Sequence, residues 1–226
     1  LSTAVIILLI TVVLIFVVHP KTKPFVTGVI AVGIVGIIGI ICLKYTLAES
    51  DNFRMRRIIA WLNPEANADT DSYQFLQGLY AIGSGGFFGK GLGNSTQKIT
   101  TIPEAQNDMI FSIVCEELGI FGALLVLLLF GYLLYRLFVI AQNAPDAYGM
   151  LITSGVFAHV SIQVILNISV VLNLIPATGI TLPFISYGGT SVAFMIVEIG
   201  IALCVSRFIV FHDGQSTEQD EMAEEQ

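Results

Sequence analysis

The run Asp108-Met109-Ile110-Phe111-Ser112-Ile113-Val114-Cys115-Glu116-Glu117-Leu118-Gly119-Ile120-Phe121-Gly122-Ala123-Leu124-Leu125-Val126-Leu127-Leu128-Leu129-Phe130 opens an apolar segment that continues to about residue 140. A bilayer core is crossed by roughly 20 helical residues. This segment is longer than one crossing, so its first turns are expected at the membrane interface. Asp108 therefore stands at the mouth of a membrane span, where charge is costly and usually kept for function. Three roles fit it on chemistry alone: a general base, a cation ligand, or the cap of a helix N-terminus. Pro103 and Glu104 just upstream suit a helix start.

Working outward, four further segments have span length, at about 2–18, 25–47, 150–172 and 190–211. Hydrophobic residues make up 55% of the chain and charged residues 12%, with a mean hydropathy of +0.83. The fold expected is all-α and polytopic in the membrane: five transmembrane helices, with one large extracellular loop over about 48–107. The net charge of -7 comes largely from the tail, 212–226, which holds Asp213, Glu218, Asp220, Glu221, Glu224 and Glu225. That tail reads as solvated and disordered. Cys42, Cys115 and Cys204 are too scattered for a disulfide framework and read as small buried hydrophobes. Basic residues are too few to support nucleic-acid binding. The chain begins on an apolar run at Leu1, with no Met, basic start or cleavage site, so an N-terminal part is expected to be missing. Gly28, Gly33, Gly36 and Gly39 suggest a helix-packing seam in the second span.

If the short basic turn at Lys21 and Lys23 is cytoplasmic, parity puts the long loop and Asp108 outside, with the 141–149 link and the tail inside. The loop mixes Arg54, Arg56 and Arg57 with Ile58, Ile59, Trp61 and Leu62, which suits a short interfacial helix. It then becomes glycine-rich at Gly83-Ser84-Gly85-Gly86 and Gly89-Lys90-Gly91-Leu92-Gly93. Loops of this length are usually functional.

A helix extended back through the motif would carry Glu104, Asp108, Ser112 and Glu116 on one face. Glu116 would then lie about 12 Å deeper than Asp108. Glu116 and Glu117 should point into a bundle or wet cavity, or pair with backbone groups or a cation from another helix. Ser112 reads as a packing hydroxyl. In the fourth span His159, Gln163 and Asn167 form a polar stripe, read as interhelical glue ahead of a proton relay or metal site. Between the last two spans, Ser186 to Ser191 supply hydroxyls and amides at a helix start, a place where anions such as phosphate bind. By parity this turn shares a face with Asp108, which argues for one outward-facing site; a tight turn without ligand is the alternative. Neither glycine stretch has P-loop spacing, and no helix pattern fits zinc.

Several blocks occur together: Tyr73-Gln74, Ala81-Ile82-Gly83-Ser84-Gly85-Gly86 with Gly89-Lys90-Gly91, Gln97-Lys98, Pro103-Glu104-Ala105, Asp108, Glu116-Glu117-Leu118-Gly119, and Pro183-Phe184-Ile185-Ser186-Tyr187-Gly188-Gly189-Thr190-Ser191. In this order they resemble the SEDS family of shape, elongation, division and sporulation proteins, FtsW, RodA and SpoVE among them. The wording leans toward the division or sporulation branch, with mild departures at Asn107, Met109 and Ala177.

The resemblance implies the last five spans of a ten-helix fold in the bacterial cytoplasmic membrane. It implies a peptidoglycan glycosyltransferase that polymerises lipid II into glycan strands at the outer face during cell division. Asp108 matches the family's catalytic acid, with the role of deprotonating the acceptor hydroxyl while undecaprenyl diphosphate leaves the donor. Arg54, Arg57, Lys90 and Lys98 are candidates for the diphosphate. Gln74, Ser84, Glu104, Gln106, Ser186, Tyr187, Gly188, Gly189, Thr190 and Ser191 complete the candidate substrate-binding set. Glu116, His159, Gln163 and Asn167 are read as structural or cavity-lining polar residues. No cofactor is expected with certainty; Mg or Mn could neutralise the diphosphate, but no preformed cage is visible. The implied partners are lipid II, a class B penicillin-binding protein transpeptidase and other divisome proteins. A lipid II flippase served by the His159 stripe, or a scaffold recruiting the transpeptidase, are the competing readings.

Overall fold

The computed structural model describes residues 2–19, 27–28, 61, 72–100 and 105–209. The regular elements among them are helices: α1 (Ser2–Val18), α2 (Tyr73–Gly85), α3 (Thr96–Thr100), α4 (Ile110–Gln142), α5 (Ala147–Val171) and α6 (Gly189–Ser206). α4, α5 and α6 are long and apolar enough to cross a membrane, while α1 is equally apolar but shorter at 17 residues. The expected spans at 2–18, 150–172 and 190–211 correspond to α1, α5 and α6, the last ending earlier, at Ser206. The second span apart from residues 27–28, the Arg-rich segment apart from Trp61, and the acidic tail lie outside the described residues.

Local chemistry sets the tight turn between α4 and α5. Both the amide and Nδ2 of Asn143 donate to the carbonyl of Val139, at 3.1 and 2.8 Å, closing α4. Asp146 caps α5 by accepting from the Gly149 amide at 3.2 Å. α5 then lies against α1, α4 and α6, with Thr153, Ser154 and Ala158 buried. Small residues of this kind let membrane helices approach closely. The core is built from Met109, Phe111, Ile113, Val160, Val164, Val171, Leu182 and Met195. Leu124, Leu125, Leu128 and Leu129 on α4, and Phe194, Ile196 and Val197 on α6, are exposed. A continuous apolar surface like this belongs against lipid rather than water. The chain is an all-helical, multi-pass membrane protein.

α4 is two helices meeting at a break. Gly119 has φ 67° and ψ −165°, a conformation that only glycine takes without strain. Residues 120–142 rise about 35 Å, enough to cross a hydrocarbon core of about 30 Å without help. Glu116 and Glu117 precede this break, so the segment is not one continuous helix from Asp108 onward. The break strips backbone groups of their helical partners, and in or near lipid these must be satisfied internally. The glycine-rich segment does this. The amides of Lys90 and Gly91 donate to the carbonyls of Glu116 and Glu117, each at 2.9 Å. The amides of Ile120 and Phe121 donate to the carbonyls of Gly86 and Phe87, at 3.0 and 3.4 Å. A Cβ on Gly85 would lie 2.0 Å from the Cys115 carbonyl oxygen, and one on Gly89 would lie 2.2 Å from that of Glu117. Backbone meets backbone here, which explains the glycines. The glycine-rich segment Gly86–Gly91 is thus a strap inserted into α4.

Candidate functional site

Asp108 does not stand in a helix. Residues 105–109 form turns, α4 starts at Ile110, and Met109 holds the cap position without a side-chain capping bond. A helix extended back through Asp108 is not formed, and the cap position falls to its neighbour Met109. The physical reason is that the segment's carbonyls are taken by tertiary donors in place of a helical ladder. The amide of Tyr187 donates to Gln106 at 2.9 Å, Ser186 Oγ to Asn107 at 2.6 Å, and Asn167 Nδ2 to Asp108 at 2.8 Å. Asn167 is fully buried and also donates to the Ile180 carbonyl at 2.8 Å. Ser186 Oγ accepts from the Leu182 amide at 2.7 Å. Three successive carbonyls are therefore pinned. The half-buried Asp108 carboxylate is held on this turn and accepts from Gln74 Nε2 of α2 at 3.3 Å.

Beside it α6 begins. Gly188 is extended and precedes the helix, so the amides of Gly189, Thr190 and Ser191 fall in a first turn whose N–H groups lack helical acceptors. Gly189 and Thr190 are exposed, and the Tyr187 side chain is 77% exposed. The expected pairing of Asp108 with the 186–191 turn is realised in space: Ser186 and Tyr187 act as brackets, with donors suited to an anion immediately after them.

Glu116 forms a second cluster. Its side chain is fully buried, and its oxygens accept from Lys90 Nζ at 2.6 Å, Ser95 Oγ at 2.5 Å, Thr96 Oγ1 at 3.0 Å and Ser84 Oγ at 3.4 Å. Lys90 and Ser84, expected to meet substrate, are both exposed residues that also contact Glu116. Ser84 lies ten residues along α2 from Gln74, a rise of about 15 Å, which separates this cluster from Asp108. Lys98 is exposed, and its amide donates to Ser95 Oγ at 3.0 Å. Arg54, Arg57 and Glu104 lie outside the described residues.

The polar stripe of α5 divides. Asn167 serves the Asp108 turn, whereas Gln163 Nε2 meets His159 Nε2 at 2.9 Å and His159 Nδ1 meets Glu198 Oε2 at 2.8 Å. These three residues face a cavity of about 790 Å³ whose other walls are largely aliphatic residues of α1 and α5. Glu198 was not foreseen, although an acid in the middle of an apolar span is a recognisable signal. Ser95, Thr96 and Trp61 were also missed as contacts; Trp61 Nε1 donates to the Asn173 carbonyl at 2.9 Å. Among the described residues no three of His, Cys, Asp and Glu gather as a metal-binding set.

The family model described as Cell cycle protein, FTSW_RODA_SPOVE, matches residues 1–209. The chain belongs to this family. Within it, the SEDS chain is 45% identical over 197 residues to Stage V sporulation protein E of Bacillus subtilis (strain 168), covering 87% of this chain and 52% of that protein. It is 39% identical over 166 residues to a protein of the same organism named Probable peptidoglycan glycosyltransferase FtsW, covering 74% and 41%. A chain in a solved structure described as "Structural coordination of polymerization and crosslinking by a peptidoglycan synthase complex" is similar in fold, with a TM-score of 0.69 and 25% identity, covering 94% of this chain and 57% of that one. The chain thus spans about half the length of the curated relatives it matches. Its relatives put it on the FtsW/SpoVE side of the family, among multi-pass proteins of the bacterial membrane.

Proposed function

We propose that this SEDS chain is the catalytic half of a peptidoglycan glycosyltransferase that polymerises lipid II at the outer face of the cytoplasmic membrane. The observation that carries the reading is the placement of Asp108: a carboxylate on a pinned, non-helical turn, oriented by Gln74 and adjacent to the first turn of α6. In the reaction, the acceptor sugar hydroxyl gives its proton to the Asp108 carboxylate. Its oxygen attacks the anomeric carbon of the donor glycan chain, the bond from that carbon to the diphosphate oxygen breaks, and undecaprenyl diphosphate leaves. The first-turn amides of Gly189, Thr190 and Ser191 suit the charge that develops on the leaving diphosphate. Lys98, Arg54 and Arg57 remain candidates for the same group, as do Gln106 and Tyr187 for the sugars and Glu104 for the acceptor. The names of the FtsW relatives support this activity, and the similarity to a chain of a polymerising and crosslinking complex supports a class B penicillin-binding protein as partner.

The test is Asp108→Asn in the full-length protein, which keeps shape and hydrogen bonding but removes the base. Lipid II binding is expected to persist while glycan polymer, read by gel, falls by about 10²–10⁴-fold. Polymer formed at the wild-type rate sinks the reading.

A further inference from the structure

We propose that the ion pair between Lys90 and the buried Glu116 is a positioning clasp for Asp108, acting through α2 and Gln74 without touching substrate. The inference rests on the reading of Asp108 as the base. Glu116 is fully enclosed and its two oxygens are shared among Lys90, Ser95, Thr96 and Ser84, so it offers nothing to a ligand. What it holds is the strap. Lys90 directly follows Gly89, whose backbone fills the break at Gly119, and the Lys90 amide is bonded to the Glu116 carbonyl at 2.9 Å. One residue is therefore fixed at both its backbone and its side chain by one partner.

The strap in turn fixes α2. Gly85, the last residue of α2, abuts the Cys115 carbonyl with no room for a Cβ, and the Gly85 carbonyl accepts from the Gly89 amide at 2.9 Å. Midway, Gly78 rests near Met109 Sδ and Ser112 Oγ, at 3.7 Å from a built Cβ. At the far end Gln74 meets Asp108. A helix passes an axial shift along its whole length, so slippage at the clasp reappears at Gln74. The contact there is 3.3 Å long, and a hydrogen bond near that distance has little slack before it is lost. Glu116 is a sensible anchor for a clasp because removing Lys90 leaves its buried charge without a cation.

The experiment uses the full-length protein in liposomes, with initial rates of lipid II polymerisation giving kcat and KM. Lys90→Met is expected to lower kcat by about tenfold or more, since small misplacement of a catalytic group is costly. KM should stay within about twofold, and Lys90→Arg, which keeps the cation, should recover most of the lost kcat. Gln74→Leu should reproduce the effect. The double variant Lys90→Met with Gln74→Leu should be no more than about twofold worse than the poorer single, because both act on one contact. If Lys90→Met does not accumulate as folded protein, Ser95→Ala takes its place; it loosens the clasp without stranding charge and should lower kcat about two- to fivefold. Wild-type kcat in Lys90→Met, or in its substitute Ser95→Ala, overturns the proposal. So does a rise in KM alone, which would put Lys90 on the substrate, or a product of the two losses in the double variant. Asp108→Asn is run alongside. If it is inactive while Lys90→Met is normal, only the clasp fails; if it is fully active, the general-base reading itself fails.

Discussion

Gly85 and Gly83 sit two residues apart on α2, neither with a positive φ, yet alanine at the two positions should change stability in opposite directions. On helix propensity alone each Gly→Ala change is favourable by up to about 1 kcal/mol. Gly83 is exposed and a Cβ there meets nothing within 4 Å, so the full gain is expected. Gly85 is different. Its Cβ would fall 2.0 Å from the Cys115 carbonyl oxygen and 2.9 Å from both Cys115 C and Glu116 Cα, all backbone atoms that cannot swing aside. α2 and the 110–118 piece must part by about 1 Å to reach even a tight contact. That movement strains the hydrogen bonds from the Lys90 and Gly91 amides to Glu116 and Glu117. Overpacking of about 1–3 kcal/mol, plus one or two weakened hydrogen bonds at about 1 kcal/mol each, outweighs the propensity gain. The net expectation is destabilisation of about 1–4 kcal/mol for Gly85→Ala, against a slight rise for Gly83→Ala. Thermal unfolding of the two full-length variants in the same detergent, followed by tryptophan emission or loss of soluble protein, reads both signs. A Gly85→Ala protein as stable as wild type would refute the account of the strap.

Other expectations follow from the same geometry. Gly119→Ala combines a φ of +67° with backbone atoms of Gly89 and Phe87 both 2.4 Å from the new Cβ, and should cost more than about 3 kcal/mol in the same melting assay, exceeding Gly85→Ala. Asn167→Leu removes the donors to the Asp108 and Ile180 carbonyls while leaving those acceptors buried; a loss of about 2–3 kcal/mol is expected, with a fall in polymerisation rate beyond the change in folded protein. For the His159–Glu198 pair, a double-mutant cycle with leucine at each position should give a coupling of about 0.6 kcal/mol, the usual size for polar contacts between membrane helices. A coupling indistinguishable from zero would mean that α5 and α6 are held by their apolar surfaces alone.

Much of the fold was legible because a bilayer leaves so few solutions. Long uncharged runs must be helices there, and α4, α5 and α6 appear where the apolar segments lie. The paired appearance of Asp108 and the 186–191 turn was also readable, since helix parity alone puts both on one side. Details failed where a tertiary partner replaced a local rule. Residues alone leave Asp108 open as base, cation ligand or cap because local patterns count only neighbours in sequence, whereas its turn is held by Asn167, Ser186 and Tyr187, which lie 59 to 81 residues from the carbonyls they hold. Lys90 is a diphosphate candidate as a cation in the loop, and no local pattern records that it also pairs with an acid 26 residues away.

The sequence by itself determined that this is a helical membrane protein of the SEDS family, with an acid at the mouth of its longest apolar segment. Those conclusions depend on composition, span length and the order of motifs, all properties of the linear chain. Only the tertiary structure decided that the longest segment is broken at Gly119 and that a glycine strap fills the break. It likewise decided that Glu116 holds the strap, and that Asp108 is presented on a pinned turn just ahead of the helix. The reason is that unsatisfied backbone groups near lipid must find partners inside the protein, and which distant segment supplies them is a matter of three-dimensional fit that no local pattern records.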